Sequence, residues 1–265
     1  KFSSSSYEEA ILFYKKAFDY SIILKDNSVL KYVYYNLALS YLNLNKYDLA
    51  LEFSDKYLDM CDININFTEY AYGIILKSNS YKEKKEYNTA IELYEELIDR
   101  FLEEKHYLLG YVFNNLGDIY LKLEKFDKAL YYFNKSKNIR EDIDKSNLSH
   151  TLIDGSDIFL KQNDYKKAVS LLLQGIELAK EYKDTEYILK GYEKLEKIYK
   201  EEKMELKQVY TSLLHYLKNA GSKNKLFNIA IKLSLIYLEE NNIELAKRIL
   251  SETINNCNKK ISVNC

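Results

Sequence analysis

The groups with which this chain could do covalent or metal chemistry are few and poorly placed. Cys61, Cys257 and Cys265 are odd in number and lack metal-ligand spacing, and His106, His150 and His215 are scattered. A zinc site needs four such ligands in close pairs, so no metal and no disulfide framework is expected, and a reducing cytosol is the natural compartment. Carboxylates are abundant, and acids lie near one another by chance; Glu103, Glu104 and His106 form no motif with a partner. No serine sits in a nucleophile elbow. Neither G-x-G-x-x-G nor G-x-x-x-x-G-K-[ST] occurs among only seven glycines, so no phosphate cradle and no nucleotide cofactor are expected. No cofactor of another kind and no reaction are expected either. What remains is non-covalent chemistry: the paired donor and acceptor of asparagine, the carboxylate of aspartate and the amphipathic rings of 27 tyrosines.

The elements that carry these groups follow from composition and periodicity. With no proline and seven glycines in 265 residues, the chain lacks turn chemistry for many hairpins. Long helices joined by short polar loops fit instead. Four stretches align, beginning at Tyr34, Ile74, Phe113 and Leu152. Each holds a small residue (Ala38, Ser78, Gly117, Ser156), an aromatic three residues on (Tyr41, Tyr81, Tyr120, Phe159) and a short polar turn. An aromatic then reopens the pattern (Tyr47, Tyr87, Phe126, Tyr165), followed by an alanine (Ala50, Ala90, Ala129, Ala168) at intervals of 40, 39 and 39 residues. Ala10 and Ala246 extend the register, with a degenerate unit around Tyr192, Leu195 and Tyr199 that carries Gln208 where alanine is expected. Two helices approach closely only where side chains are short, so Ala38 should face Ala50 and Gly117 should face Ala129, with Tyr41 and Phe53 filling the space around them. Each hairpin buries part of its apolar surface, and neighbours must stack to close the core.

Phe113, Leu116, Gly117, Tyr120, Ala129 and Phe133 closely resemble the tetratricopeptide repeat, as do Tyr34, Leu37, Ala38, Tyr41 and Ala50. The leading tryptophan and closing proline of that family are absent, and the period is about 40 residues rather than the usual 34. The resemblance implies an all-α, right-handed superhelical solenoid of antiparallel helix pairs over residues 1–258, with 259–265 as a tail. It also implies a concave face lined by the first helices. Registering each unit on its small residue places Asn36, Tyr72, Asn79, Tyr111, Asn114, Asn115, Asp118, His150, Asp154 and Asp157 on that face. Asparagine can accept from a backbone N–H and donate to a backbone carbonyl, so it grips an extended peptide whatever its sequence. The tyrosines offer walls, and the three aspartates favour a positive charge. A short linear peptide is the expected partner. The long period and missing proline look like the peptide-pheromone receptors of Gram-positive bacteria (the Rap, Npr, PlcR and PrgX group), whose transcriptional members carry a helix-turn-helix domain before the repeats. A general interaction scaffold and a regulator of a phosphatase relay are the alternative readings.

Charge excludes one class. The net charge is −1, and arginine occurs only at Arg100, Arg140 and Arg248. Bulk attraction to nucleic acid is not expected of this chain, and DNA would be met only through a domain outside it. No apolar run is long enough for a membrane span. The lysines at 190, 194, 197, 200 and 203 alternate with Glu193, Glu196, Glu201 and Glu202, which reads as a solvated helix face with ion pairs. The segment around Ala10 reads as a second helix without its first, so an exposed apolar edge and a longer parent protein are expected. At the other end Leu233, Ile236, Tyr237, Leu245 and Leu250 should form the buried set of a last hairpin whose outer surface supports homo-oligomerisation.

Overall fold

A computed structural model of the chain describes residues 4–103, 106–202, 206–220 and 223–259. Of the expected tail at 259–265, Lys259 ends the last helix and 260–265 lie outside the described residues, as do Glu104 and Lys203. The array expected over 1–258 falls into two compact units, residues 1–145 and 146–265. All regular elements among the described residues are helical.

The first unit opens with a long single helix, α1 (Ser4–Leu24). Three antiparallel pairs follow: α2 (Asn27–Asn43) with α3 (Tyr47–Leu58), α4 (Phe67–Glu83) with α5 (Tyr87–Glu95) and α6 (Ile98–Glu103), and α7 (Leu108–Lys122) with α8 (Phe126–Ile143). The second unit repeats the scheme. It pairs α9 (Leu148–Lys161) with α10 (Tyr165–Glu181), α11 (Thr185–Glu201) with α12 (Lys207–Ala220), and α13 (Lys223–Glu239) with α14 (Ile243–Lys259). Among the described residues an expected second helix is broken between α5 and α6; Leu97 N–H bonds the Tyr94 carbonyl three residues back at 3.2 Å.

The small residues sit where the register puts them. Ala38, Ala50, Ala90, Ala129 and Ala168 are fully buried. A Cβ added to Gly117 would lie 3.4 Å from the Ala129 carbonyl oxygen, in ordinary van der Waals contact, so α7 and α8 cross closely there. Tyr41 stacks on Phe53 at 5.5 Å between ring centroids and 17° between planes, as the hairpin argument requires. Leu233 is buried, while Ile236, Tyr237, Leu245 and Leu250 pack against the second unit's core.

Each polar turn is built the same way. Asn45, Lys85, Glu124, Asn163 and Asn241 hold φ near +60° (58°, 67°, 59°, 59° and 59°). One residue later an N–H closes back on the carbonyl of the first-helix aromatic: Lys46 to Tyr41, Glu86 to Tyr81, Lys125 to Tyr120, Asp164 to Phe159 and Asn242 to Tyr237, all at 2.7–2.9 Å. This is the glycine-type helix stop carried out without glycine.

Two expectations need correction in the degenerate unit. Gln208 is exposed rather than at the helix contact, and Tyr210, which is buried, stands across from α11 instead. Tyr210 donates its hydroxyl to Glu196 at 3.0 Å. By register Glu196 occupies the place held by Ala38, Ser78, Gly117 and Ser156. Its side chain is 16% exposed, so it does not belong to a solvated face. A carboxylate where the other pairs have a small residue keeps α11 and α12 from meeting as closely, and the second helix shifts its contact by two residues.

Candidate functional site

In the first unit, α2, α4 and α7 lie side by side and present amides and phenols. Asn36 donates to the Tyr32 carbonyl one turn back at 2.8 Å and accepts from the Tyr14 hydroxyl at 3.3 Å. Tyr35 packs between Tyr57 and Tyr72, with centroids 5.4 and 6.1 Å away. Tyr72 in turn meets Tyr107, hydroxyl to hydroxyl, at 2.5 Å. That hydrogen bond, with burial, pushes the Tyr107 phenol up to about 12.

One turn along, Asn79 is held at both ends. The buried Tyr94 hydroxyl donates to its carbonyl oxygen at 2.5 Å, and its amide donates to the Tyr111 hydroxyl at 2.9 Å. Asn115 is buried; it donates to the Tyr111 carbonyl at 3.0 Å and accepts from Lys82 Nζ at 2.8 Å. Lys82 also pairs with Asp118 at 3.2 Å, and Lys122 meets the same carboxylate at 3.1 Å. Burial opposes both charges, but their mutual attraction outweighs it: Lys82 is held above, and Asp118 below, its ordinary pKa. Asn79, Tyr111, Asn115 and Asp118 thus form one network with Lys82 and Tyr94. Asn114 is half-buried beside it, and Asn36 and Tyr72 lie on the neighbouring helices.

In the second unit, α9 faces α11. His150 Nε2 lies 2.6 Å from Asp184, the N-cap of α11, and its ring stacks on Tyr187 at 3.6 Å. Asp154 accepts from Lys190 at 2.6 Å and from the Tyr187 hydroxyl at 3.3 Å. Asp157 pairs with Lys194 at 2.7 Å, and Lys194 also donates to the Ile153 carbonyl at 2.7 Å.

The sequence reading left the three aspartates open to a ligand's positive charge, whereas the structure gives each a lysine of this chain. It also divides the lysine stretch. Lys197 pairs along its own helix with Glu201, as a solvated face would, and Lys200 with the largely buried Glu196. Lys190 and Lys194 reach across to α9 instead. Lys190 and Lys194 were missed because each was weighed within its own helix, and Lys82 and Tyr94 because no motif singles them out.

The tetratricopeptide-repeat model matches residues 32–63 and 74–142. Response regulator aspartate phosphatase A of Bacillus subtilis is 22% identical over 191 residues, 71% of this chain and 50% of that protein, so the chain spans about half the length of its curated relative. The apo quorum sensor NprR from B. thuringiensis superposes with a TM-score of 0.63 at 25% identity, over 95% of this chain and 72% of that one. A Rap protein complexed with Competence and Sporulation Factor gives 0.67 at 18% identity, over 98% and 72%. Residues 32–63 and 74–142 are therefore tetratricopeptide repeats, and the remaining helix pairs continue them in the helical-repeat fold of the Rap and NprR structures.

Proposed function

We propose that the first helices form a binding face for a short linear peptide and that the chain is the sensor part of a peptide-responsive regulator, with no reaction of its own. The observation that carries this reading is the neutrality of the face in the first unit. Lys82 and Lys122 are balanced by Asp118 and Glu83, which leaves half-buried Asn36, Asn79 and Asn114 among Tyr32, Tyr35, Tyr72, Tyr107 and Tyr111. Amides and phenols suit a main chain and apolar side chains better than they suit a charged ligand. Asn36 and Asn79 are already oriented by their own hydrogen bonds, so little ordering entropy is lost when they bind.

The Rap structure with Competence and Sporulation Factor supports the same class of partner. A transcriptional role rests on a DNA-binding domain outside this chain. Similarity to response regulator aspartate phosphatase A favours a second role, contact with a response regulator.

The test is fluorescence polarisation against a labelled library of short linear peptides, followed by calorimetry on the best binder. Asn36→Ala with Asn114→Ala should weaken it by roughly ten- to a hundred-fold, as the loss of two or three net hydrogen bonds implies, with the helical melt unchanged. An affinity that survives both changes places the ligand elsewhere.

A further inference from the structure

Exposed apolar side chains are ordinary when they are scattered singly, but several in the first unit recur in register. Ile63 follows α3, Leu102 lies near the end of α6 and Ile143 ends α8, at intervals of 39 and 41 residues. Each comes 12 to 14 residues after the buried alanine of its own pair, Ala50, Ala90 or Ala129. They are 37%, 50% and 39% exposed, and Ile65, two residues past Ile63, is 84% exposed. Each second helix ends where the next first helix begins, so these side chains follow one edge of the unit, at the helix ends.

The two isoleucines are held by the turn that carries them. Asn64 N–H bonds the Asp62 carboxylate at 2.8 Å, and Ile65 N–H bonds the Asp62 carbonyl at 3.1 Å. Arg100 of α6 donates to the Ile63 carbonyl at 3.3 Å and lies 4.3 Å from the centre of the Phe67 ring, which ties this turn to the neighbouring pair. Backbone fixed in this way has little ordering entropy left to lose on binding.

Charge says what fits there. Beside each of the three registered residues stands an exposed acid: Asp62 before Ile63, Glu103 after Leu102 and Asp142 before Ile143. Among the described residues none of these acids has an ion-pair partner. Residues 57–76 contain three acids and no base, and Arg100 is engaged with Ile63 and Phe67. An edge that repeats one apolar group and one acid per helix pair complements a basic amphipathic helix. The spacing agrees. Packed helices stand about 10 Å apart, so α2, α4 and α7, side by side, set a step of that order between pairs. Seven residues of an α-helix rise about 10.5 Å. A helix laid along the edge would therefore meet one pair at every seventh residue.

We propose that this edge of the first unit is a docking surface for a basic amphipathic helix of another protein, with Ile63, Ile65 and Leu102 as its apolar contacts and Asp62, Glu103 and Asp142 as its charge partners. The surface is separate from the face of asparagine and tyrosine, and the proposal does not rest on that face binding a peptide.

Fluorescence anisotropy on the whole chain tests this, with a labelled synthetic helix that carries leucine at every seventh position and lysine on either side of each leucine. The probe should bind, and Ile65→Ser with Leu102→Ser should weaken it by at least about ten-fold with an unchanged melt, since both positions are exposed. Glu103→Lys with Asp142→Lys should weaken it by at least about ten-fold and should gain affinity for a second probe with glutamate in place of lysine. That reciprocal swap keeps the test decisive if the apolar double variant proves unstable. Asn36→Ala with Asn114→Ala should leave the probe's affinity unchanged. No binding at about 100 μM, equal binding of a lysine peptide without leucine, indifference to both edge variants, or loss in the asparagine variant would each overturn the proposal. So would self-association of the chain that Ile65→Ser abolishes, because the occupant would then be a second copy.

Discussion

Glu196→Gln isolates a carboxylate built into a helix contact where the other pairs have a small residue. Burial alone would raise the pKa of Glu196. Hydrogen bonds from Lys200, Lys232 and Tyr210 reverse that and draw it down to about 2, against 4.5 for an unperturbed glutamate. Lys232 Nζ lies 2.8 Å from Oε1, and Tyr210 Oη lies 3.0 Å from it. A folded value below the unfolded one means that the stabilisation is fully present above about pH 4.5 and is lost as pH falls toward about 2. At ~1.4 kcal/mol per unit the ceiling is roughly 3 kcal/mol. Lys200 and Lys232 are 56% and 35% exposed, and water screens them, which brings the expected contribution to about 1–2 kcal/mol. A repeat array opens locally, so the suitable assay is hydrogen exchange of α11–α13 amides at about pH 7 and about pH 3, corrected for intrinsic rates. The wild-type chain should lose protection in those helices on acidification. Glu196→Gln should start lower by about 1–2 kcal/mol and lose correspondingly less. Identical acid losses in the two proteins would show that this carboxylate does not hold α11, α12 and α13 together.

Three further outcomes follow from the packing. Ala129→Leu should lower stability by about 1–3 kcal/mol in urea melts, because Ala129 is fully buried against the glycine of α7. Asn79→Ala should cost about 1–3 kcal/mol, because the buried Tyr94 hydroxyl loses its acceptor; calorimetric melting checks this, and it makes Asn79 unsuitable as a ligand-only probe. Glu124→Gly should raise stability by about 0.5–1 kcal/mol, since Glu124 holds φ at 59°, where glycine is unstrained. The same change at Asn45, whose side chain tolerates that region better, should give less, and thermal melts of the two variants compare them.

The helix pairs were legible because each repeats one local rule. A small residue, an aromatic three residues on, a polar turn and an alanine name both helices and their contact, and Ala50, Ala90, Ala129 and Ala168 are buried accordingly. The degenerate unit misled the register because counting from Ala168 assumes a turn of constant length, and α12 begins at Lys207 after a longer connection. The candidate site was legible as a set of positions and not as a set of free valences. Nothing in the residue types on α7 says that Asn115 lies beneath Lys82 of α4, or that Tyr94 from a second helix reaches Asn79.

The missing rule is one of offset. Lys82 with Asp118, Asp154 with Lys190 and Glu196 with Lys232 are each 36 residues apart. Adjacent first helices stand 39 or 40 residues apart in register, so each of these pairs is displaced by three or four residues, one turn of helix. Lys82 reaches Asp118 in the N-terminal direction in which a long helical side chain leans, whereas Lys190 and Lys232 reach the opposite way along their helices. Within either unit, a charge on one first helix therefore has to be read against residues 36 to 38 positions on, as well as against its own i+4 neighbour. Lys190 satisfies that rule with Asp154, and Lys197, whose counterpart 36 positions back is the like-charged Lys161, pairs along its own helix instead. The internal ladder thus uses up charges at the helix–helix seams and leaves amides and rings between them, which is why the proposed binding face of a chain with 30% charged residues is made of asparagine and tyrosine.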